Sequence, residues 1–161
     1  MNSYPIKQLH FARKSTINYI KDINESKLEI IPLGLNNNIK WNLGHMYTVM
    51  DKFCFHLIGE NSRLPDNFDQ LFAPGTSPKE WRINTPKKDE LTHLLSEQIS
   101  KVDSLLYGRM DEKIEQPYTT STGLELRSVG ELISFCLYHE GMHFGAIKNI
   151  TSLIDNIKPK K

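Results

Sequence analysis

From Val129 to Ile154, the residues Val129, Leu132, Cys136, His139, His143, Ile147, Ile150 and Ile154 return at steps of three and four. Only an α-helix gathers that spacing onto one face, and a stripe this long needs other helices to cover it. The segment opens at Ser128-Val129-Gly130-Glu131, a capping box, and is expected to run to about Ile157, before Pro159. Three more segments share the pattern. The first is expected from about Pro5 to Lys27, with Ile6, Leu9, Ile17, Ile20 and Ile23 near helical spacing and Arg13 interrupting their stripe. The second opens after Asn36-Asn37-Asn38, any of which can cap it, and runs to Ile58, where Gly59 stops it. Its Leu43, Met46, Met50, Phe53 and Leu57 form a bundle-core seam. The third is read from Thr85-Pro86 to about Leu106, with Gly108 at its end. The one stretch with any strand character is Tyr118 to Leu126, where Gly123 could turn a short hairpin.

These segments predict an all-α chain, a four-helix bundle in which residues 1–161 form a single domain. The connection from Glu60 to Asn84 bears on its topology. It is about 25 residues long and far exceeds what antiparallel neighbours need. At about 3.3 Å per extended residue it can run the length of a helix about 30 Å long. Read as a crossover between helices 2 and 3, it makes those two parallel and the bundle up-down-down-up. A disordered loop is the alternative.

Charge narrows the partners. Twenty basic side chains stand against 19 acidic ones, a formal net charge of +1, and the nearest thing to a basic arm, Lys158 to Lys161, is interrupted by Pro159. A nucleic-acid partner is therefore not expected. Lys7, Arg13 and Lys14 fall where a signal peptide would need its apolar core, and no apolar run approaches the roughly 18 residues of a membrane span. Cys54 and Cys136 lie inside apolar helical patterns and read as buried free thiols, which fits a reducing cytoplasm. The expectation is a cytoplasmic protein without a membrane partner.

The fourth segment carries the chemistry. His139-Glu140-Gly141-Met142-His143 puts two imidazoles one turn apart on the core-facing stripe. Core histidines satisfied by carbonyls are one account of the pair; a shared metal ion, which satisfies both nitrogens at once, is the other. The pentapeptide also matches the zinc-protease pattern H-E-x-x-H, in which Glu140 would be the general base. Only 18 residues follow His143, and they contain neither His nor Glu, so the downstream third ligand of that class is missing. A third ligand must come from His10, His45, His56 or His93. His45 and His56 share a helix face but stand about 16 Å apart, too far to share an ion. If helix two is antiparallel to helix four, the level of His139 and His143 falls at His45, fourteen residues back from Gly59, and leaves His56 near the bundle's end. His10 and His93 lie near helix starts, where they can simply be solvated. The predicted metal ligands are His45, His139 and His143.

Trp41-Asn42-Leu43-Gly44-His45, Phe72-Ala73-Pro74-Gly75-Thr76 and His139-Glu140-Gly141-Met142-His143-Phe144-Gly145-Ala146-Ile147 occur in that order. On these motifs the chain resembles the DinB-like family, the damage-inducible DinB bundles and bacillithiol S-transferases, which are unrelated to the DNA polymerase sharing the name. The similarity spans Tyr4 to about Ile154. The resemblance implies a four-helix bundle, usually a homodimer, with a histidine triad on helices two and four holding nickel or zinc. Carried over by position, that triad is His45, His139 and His143. It also implies thiol-dependent chemistry, with bacillithiol among the co-substrates known in the family.

Three neutral imidazoles leave coordination positions open, as catalytic sites do. An open divalent ion can turn a thiol into a thiolate or a water into hydroxide near neutral pH. The first gives transfer of a low-molecular-weight thiol to an electrophile, the function favoured here on the family resemblance. The second gives hydrolysis, and a non-catalytic metal-binding or stress-response bundle is the remaining alternative. Glu140 points about 100° away from His139 and is read as supporting the ligands or facing solvent, not as a base. Gly44 and Gly145 are read as packing glycines, with access to the metal as the alternative. Trp41 is read as core, with a place in the pocket wall as the alternative. Phe11 and Tyr19 lie off the apolar stripe of the first segment and add weakly to the dimer expectation.

Overall fold

The computed structural model describes residues 4–156. Ile157, where the last helix was expected to end, and the Lys158–Lys161 run lie outside the described residues. The chain is mostly helical. The first helix, α1 (Tyr4–Ile20), stops earlier than the Lys27 expected from its pattern, and a separate short helix, α2 (Glu25–Leu28), follows. The physical cause is a distant cation. Lys88 Nζ donates to the carbonyls of Lys21 (3.0 Å) and Ile23 (2.8 Å), satisfying acceptors that a continuous helix would have used. Glu25 on α2 in turn accepts the Lys88 backbone N–H at 2.8 Å. This carboxylate caps the helix that begins there, α5 (Lys88–Leu106), so the helix starts at Lys88 and not at Thr85-Pro86.

The second long helix, α3 (Ile39–Cys54), is capped by Asn38, whose Oδ1 accepts the Trp41 N–H at 2.8 Å. It ends before the expected Ile58. Phe55 leaves helical geometry (φ −131°, ψ −65°), which buries its ring completely, and a 3-10 turn over His56–Ile58 runs to Gly59 at φ 82°. The long connection is structured and contains α4 (Phe68–Phe72) and a 3-10 turn at Pro78–Glu80. It leaves α3 near Asp51, whose carboxylate accepts from Ser62 Oγ and the Arg63 N–H, and it reaches the other end of α3, where Ser77 Oγ donates to the Asn36 carbonyl.

The hairpin is longer than its sequence signal. Strands β1 (Lys113–Thr119) and β2 (Glu125–Ser128) pair antiparallel, with Tyr118 opposite Leu126, and Gly123 at φ 92° makes the turn. Pro117 masks β1 in the sequence, because proline cannot donate to a ladder and usually argues against a strand. Ser128 then begins α6 (Val129–Asp155) with both hydrogen bonds of the expected capping box.

Helices α3 and α6 pack together, with Asn42 near the start of α3 against His143 and Cys54 at its end against Cys136. Helix α1 packs on α5 and α6, and α3 on α5 and α6. The buried apolar residues form two clusters. One gathers Ile6, Leu9, Phe53, Val102, Leu132 and Ile133; the other gathers Ile20, Leu43, Leu71, Leu91, Ile147 and Ile150. Between them on α1, α5 and α6, and inside the second cluster's stretch on α3, lies a belt of buried polar side chains: Arg13 on α1, His45 on α3, Gln98 on α5, and His139, Glu140 and His143 on α6. The Cys54 and Cys136 thiols sit in the first cluster, buried and 3.8 Å apart, each a free cysteine.

Candidate metal centre

The polar belt contains two separate constellations. In the first, Arg13 grips Glu140 with two hydrogen bonds, Nε to Oε2 at 2.9 Å and Nη2 to Oε1 at 2.6 Å, and both side chains are buried. The same guanidinium donates to the Leu95 carbonyl and to Gln98 Oε1 on α5, and reaches Met50 Sδ on α3. Glu140 is therefore neither exposed nor a support for the ligands. It is the counter-charge that lets an arginine cross the core. A carboxylate held in this way is not available as the base of an H-E-x-x-H enzyme.

The second constellation is the triad. One ring nitrogen from each of His45, His139 and His143 lies within 4.8 Å of the other two, and all three side chains are buried. Contacts fix the tautomers of two of the rings. His45 Nδ1 is 2.7 Å from the Phe72 carbonyl, which can only accept, so Nδ1 carries the proton and Nε2 presents a lone pair. His143 Nδ1 is 2.7 Å from Asn42 Oδ1. The amide of Asn42 cannot turn over, because its Nδ2 donates to the Asn38 carbonyl at 2.7 Å. His143 must therefore also donate from Nδ1 and turn a bare Nε2 toward His139 Nε2, 3.1 Å away.

Electrostatics keep the rings neutral. Burial pushes His139 down to about 2, helped by repulsion from His143, His45 and Arg13. Burial and His45 push His143 down to about 4. Burial also lowers His45, against the opposing pull of the Phe72 carbonyl. Neutral imidazoles gathered this closely are the ligands a divalent transition metal requires. Two nitrogens each about 2.1 Å from a shared ion stand roughly 3.0–3.4 Å apart, and the 3.1 Å between His139 and His143 falls in that range. The residues present fit a metal ion.

The local sequence explains the placement. Gly44 has no side chain because a Cβ there would run into the Phe72 ring, and this close approach brings the Phe72 carbonyl onto His45. Trp41 stacks on the His45 ring at 4.4 Å and donates from Nε1 to Thr76 Oγ1 at 2.8 Å. It is core, as expected, and backs the ligand. Nothing in the structure explains Gly145 by packing, since a Cβ there would meet open space.

His45 and His139 form the inner wall of an open cleft of about 700 Å³. The cleft is also lined by Phe53 and Phe135, whose rings stack at 4.8 Å, and by Lys52, Tyr118 and the hairpin turn Thr120–Thr122. His56 lies on the cleft rim, exposed and off the helix, so the structure separates it from the triad. His93 is exposed beside Glu97, and His10 is half-buried with Nε2 3.8 Å from Asp103.

A model of the DinB superfamily matches residues 8–147. The chain belongs to the DinB superfamily. Its fold is similar to the crystal structure of a conserved protein from Enterococcus faecalis, with a TM-score of 0.72 and 14% identity over 96% of each chain. No protein of curated function matches at a significant level. In this DinB-superfamily chain the three ligand candidates named from sequence come together. Sequence reasoning missed Asn42 and Phe72 as the groups that aim them. The available signal was their place inside the motifs: Asn42 in the one ending at His45, and Phe72 opening the one in the long connection.

Proposed function

We propose that this DinB-superfamily protein is a metal-dependent enzyme that transfers a low-molecular-weight thiol to an electrophile. One divalent transition metal, nickel or zinc, would be held by His45, His139 and His143. The observation carrying the proposal is three buried, neutral imidazoles with ring nitrogens within 4.8 Å of one another, two of which, His45 and His139, line an open cleft. A structural ion would be closed off by a fourth protein ligand. Bound there, the ion supplies acidity, making a thiol a thiolate at neutral pH. The chain's own groups do the rest. Phe72 and Asn42 hold the ligand rings in one tautomer, Trp41 fixes the His45 plane, and the apolar walls around Phe53 and Phe135 exclude water. In the reaction the thiol proton leaves to solvent, sulfur bonds to the electrophilic carbon, and that carbon's leaving group departs with its electron pair. Bacillithiol is one thiol of the required kind. Hydrolysis is less well supported, because Glu140, the carboxylate next to His139 in the sequence, is committed to Arg13, and the buried Asp51 of the cleft wall is held by Ser62 and Arg63.

The same proposal includes an up-down-down-up four-helix bundle of one domain, with a crossover between α3 and α5. Its support is the reversed order of contacts between α3 and α6 and the course of residues 60–84 back along α3.

Metal analysis of protein isolated without a histidine tag tests the site. About one ion per chain is expected, with His45→Ala and His143→Ala losing it equally. The metal-loaded protein should then accelerate attack of a thiol on a soft electrophile above a metal-matched blank, and His139→Ala should abolish this while helical content persists. Metal-dependent ester hydrolysis without thiol transfer would replace this function with a hydrolase. A metal whose removal only lowers the melting temperature would replace it with a structural or sensing role.

A further inference from the structure

The cleft changes character along its length. From His139 the wall continues outward as an aromatic series that ends at a cation. Phe135 lies 6.3 Å from His139, Phe53 4.8 Å from Phe135, and Tyr118 5.2 Å from Phe53. The series ends at Lys52, whose Nζ sits over the Tyr118 ring at 4.5 Å and donates to its hydroxyl at 3.0 Å.

Lys52 is the lysine of the cleft wall, and among the described residues no carboxylate lies within ion-pair distance of it. The two acids of the wall are otherwise placed. Asp51 is buried and spends its oxygens on Ser62 Oγ and the Arg63 N–H, and Asp69 is exposed on α4. The same wall carries the hydroxyls of Ser121 and Thr122, the latter paired with Thr120 Oγ1 at 3.2 Å. One ammonium among hydroxyls, without an arginine fork, suits a singly charged carboxylate better than a phosphate dianion.

Lys52 stands seven residues after His45 on the same helix, so the two lie about 10 Å apart along one face. We propose that the outer end of the cleft is a carboxylate-binding subsite centred on Lys52. The substrate is then an acidic small molecule whose carboxylate lies roughly 10 Å from its metal-facing atom, joined by an apolar stem against Phe135 and Phe53. This rests on the thiol-transfer proposal for the metal end alone; the charge preference stands apart from it.

The test uses the full chain loaded with Co²⁺ and a series of ω-mercaptoalkanoic acids with their methyl esters. Thiolate binding is read from the sulfur-to-cobalt absorption band. An acid with about six to eight methylenes, an extended stem of roughly 10 Å, should bind about tenfold more tightly than its ester. Much shorter acids should show no preference. In Lys52→Met, the long acid should fall to the affinity of its ester. Equal affinities of acid and ester at every length would overturn the subsite, as would a Lys52→Met variant that weakens both alike. If no thiol gives the band, thiol coordination fails, and the acid–ester comparison is repeated with ω-carboxyalkyl hydroxamates, which bind metals without sulfur. There a preference for the acid that depends on Lys52 upholds the subsite, and its absence overturns it. Calorimetry with both series on the protein as isolated repeats the comparison without cobalt, and the same two results decide it.

Discussion

The side-chain amide of Asn42 has one arrangement that satisfies both of its neighbours, with Nδ2 on the Asn38 carbonyl and Oδ1 on His143 Nδ1. Replacing it with leucine leaves the helix cap of Asn38 in place but frees the His143 ring to change tautomer and rotate. Asn42→Leu should therefore weaken metal binding roughly 10–100-fold, the usual effect of losing the partner of a ligand histidine. Competition with a chromogenic chelator measures this, and unchanged far-UV circular dichroism separates it from unfolding. Asn42→Asp keeps an acceptor at Oδ1 and should retain most of the affinity. Glu140 is the contrasting residue: its sequence position suggests a base, yet its carboxylate is fully engaged by Arg13. No cleavage of a general protein substrate is expected, and cleavage that disappears in Glu140→Gln would contradict this assignment.

At the scale of elements, the Arg13 guanidinium reaches all four long helices, bonding α5 and α6 directly and touching Met50 of α3 from its own place on α1. Burying two charges is costly, and their attraction offsets that cost only while both are present. Arg13→Met strands Glu140 in the core and should cost about 3–5 kcal/mol, read from the shift of a urea denaturation curve. The double variant Arg13→Met with Glu140→Met removes both charges and should recover most of that loss. A double variant as unstable as the single one would mean that the network to Leu95 and Gln98, not the ion pair, carries the stability. The interruption of the α1 stripe by Arg13, visible in the sequence, is thus the signature of a partner on α6.

For the whole molecule, the depressed histidines make stability depend on pH in a definite direction. Above their ordinary value of 6.5 the imidazoles are neutral in both the folded and the unfolded chain. Below it the unfolded chain binds protons that the folded chain refuses down to about 4 at His143 and about 2 at His139. Chelator-treated protein should therefore lose stability steadily as pH falls from 6.5 to 5, a window above the ordinary value of 4.5 for the glutamates. Denaturation midpoints at pH 8, 6 and 5 check this. Restoring the metal at about a hundred times its dissociation constant should add about 2.7 kcal/mol at pH 7. A homodimer is the assembly proposed from the family resemblance. Light scattering at tens of micromolar should give twice the chain mass, and a strictly monomeric mass would exclude it.

Much of this protein could be read from local spacing. The α6 stripe, its capping box and the pairing of His139 with His143 depend on residues within a few turns of one another, and short-range geometry fixes them. His45 was reached by counting levels along two helices, which works because the helical rise is constant. What the sequence left open are contacts between segments far apart in the chain. Glu25 caps α5 and Lys88 ends α1 across 63 to 67 residues, so both helix boundaries were misplaced. The Phe72 carbonyl reaches His45 from a connection whose path no periodicity describes. Arg13 finds Glu140 across 127 residues. In each case a buried polar group had to be satisfied, and the sequence states that need without naming the partner. Only the packed arrangement of the helices determines which donor lies within 3 Å of which acceptor.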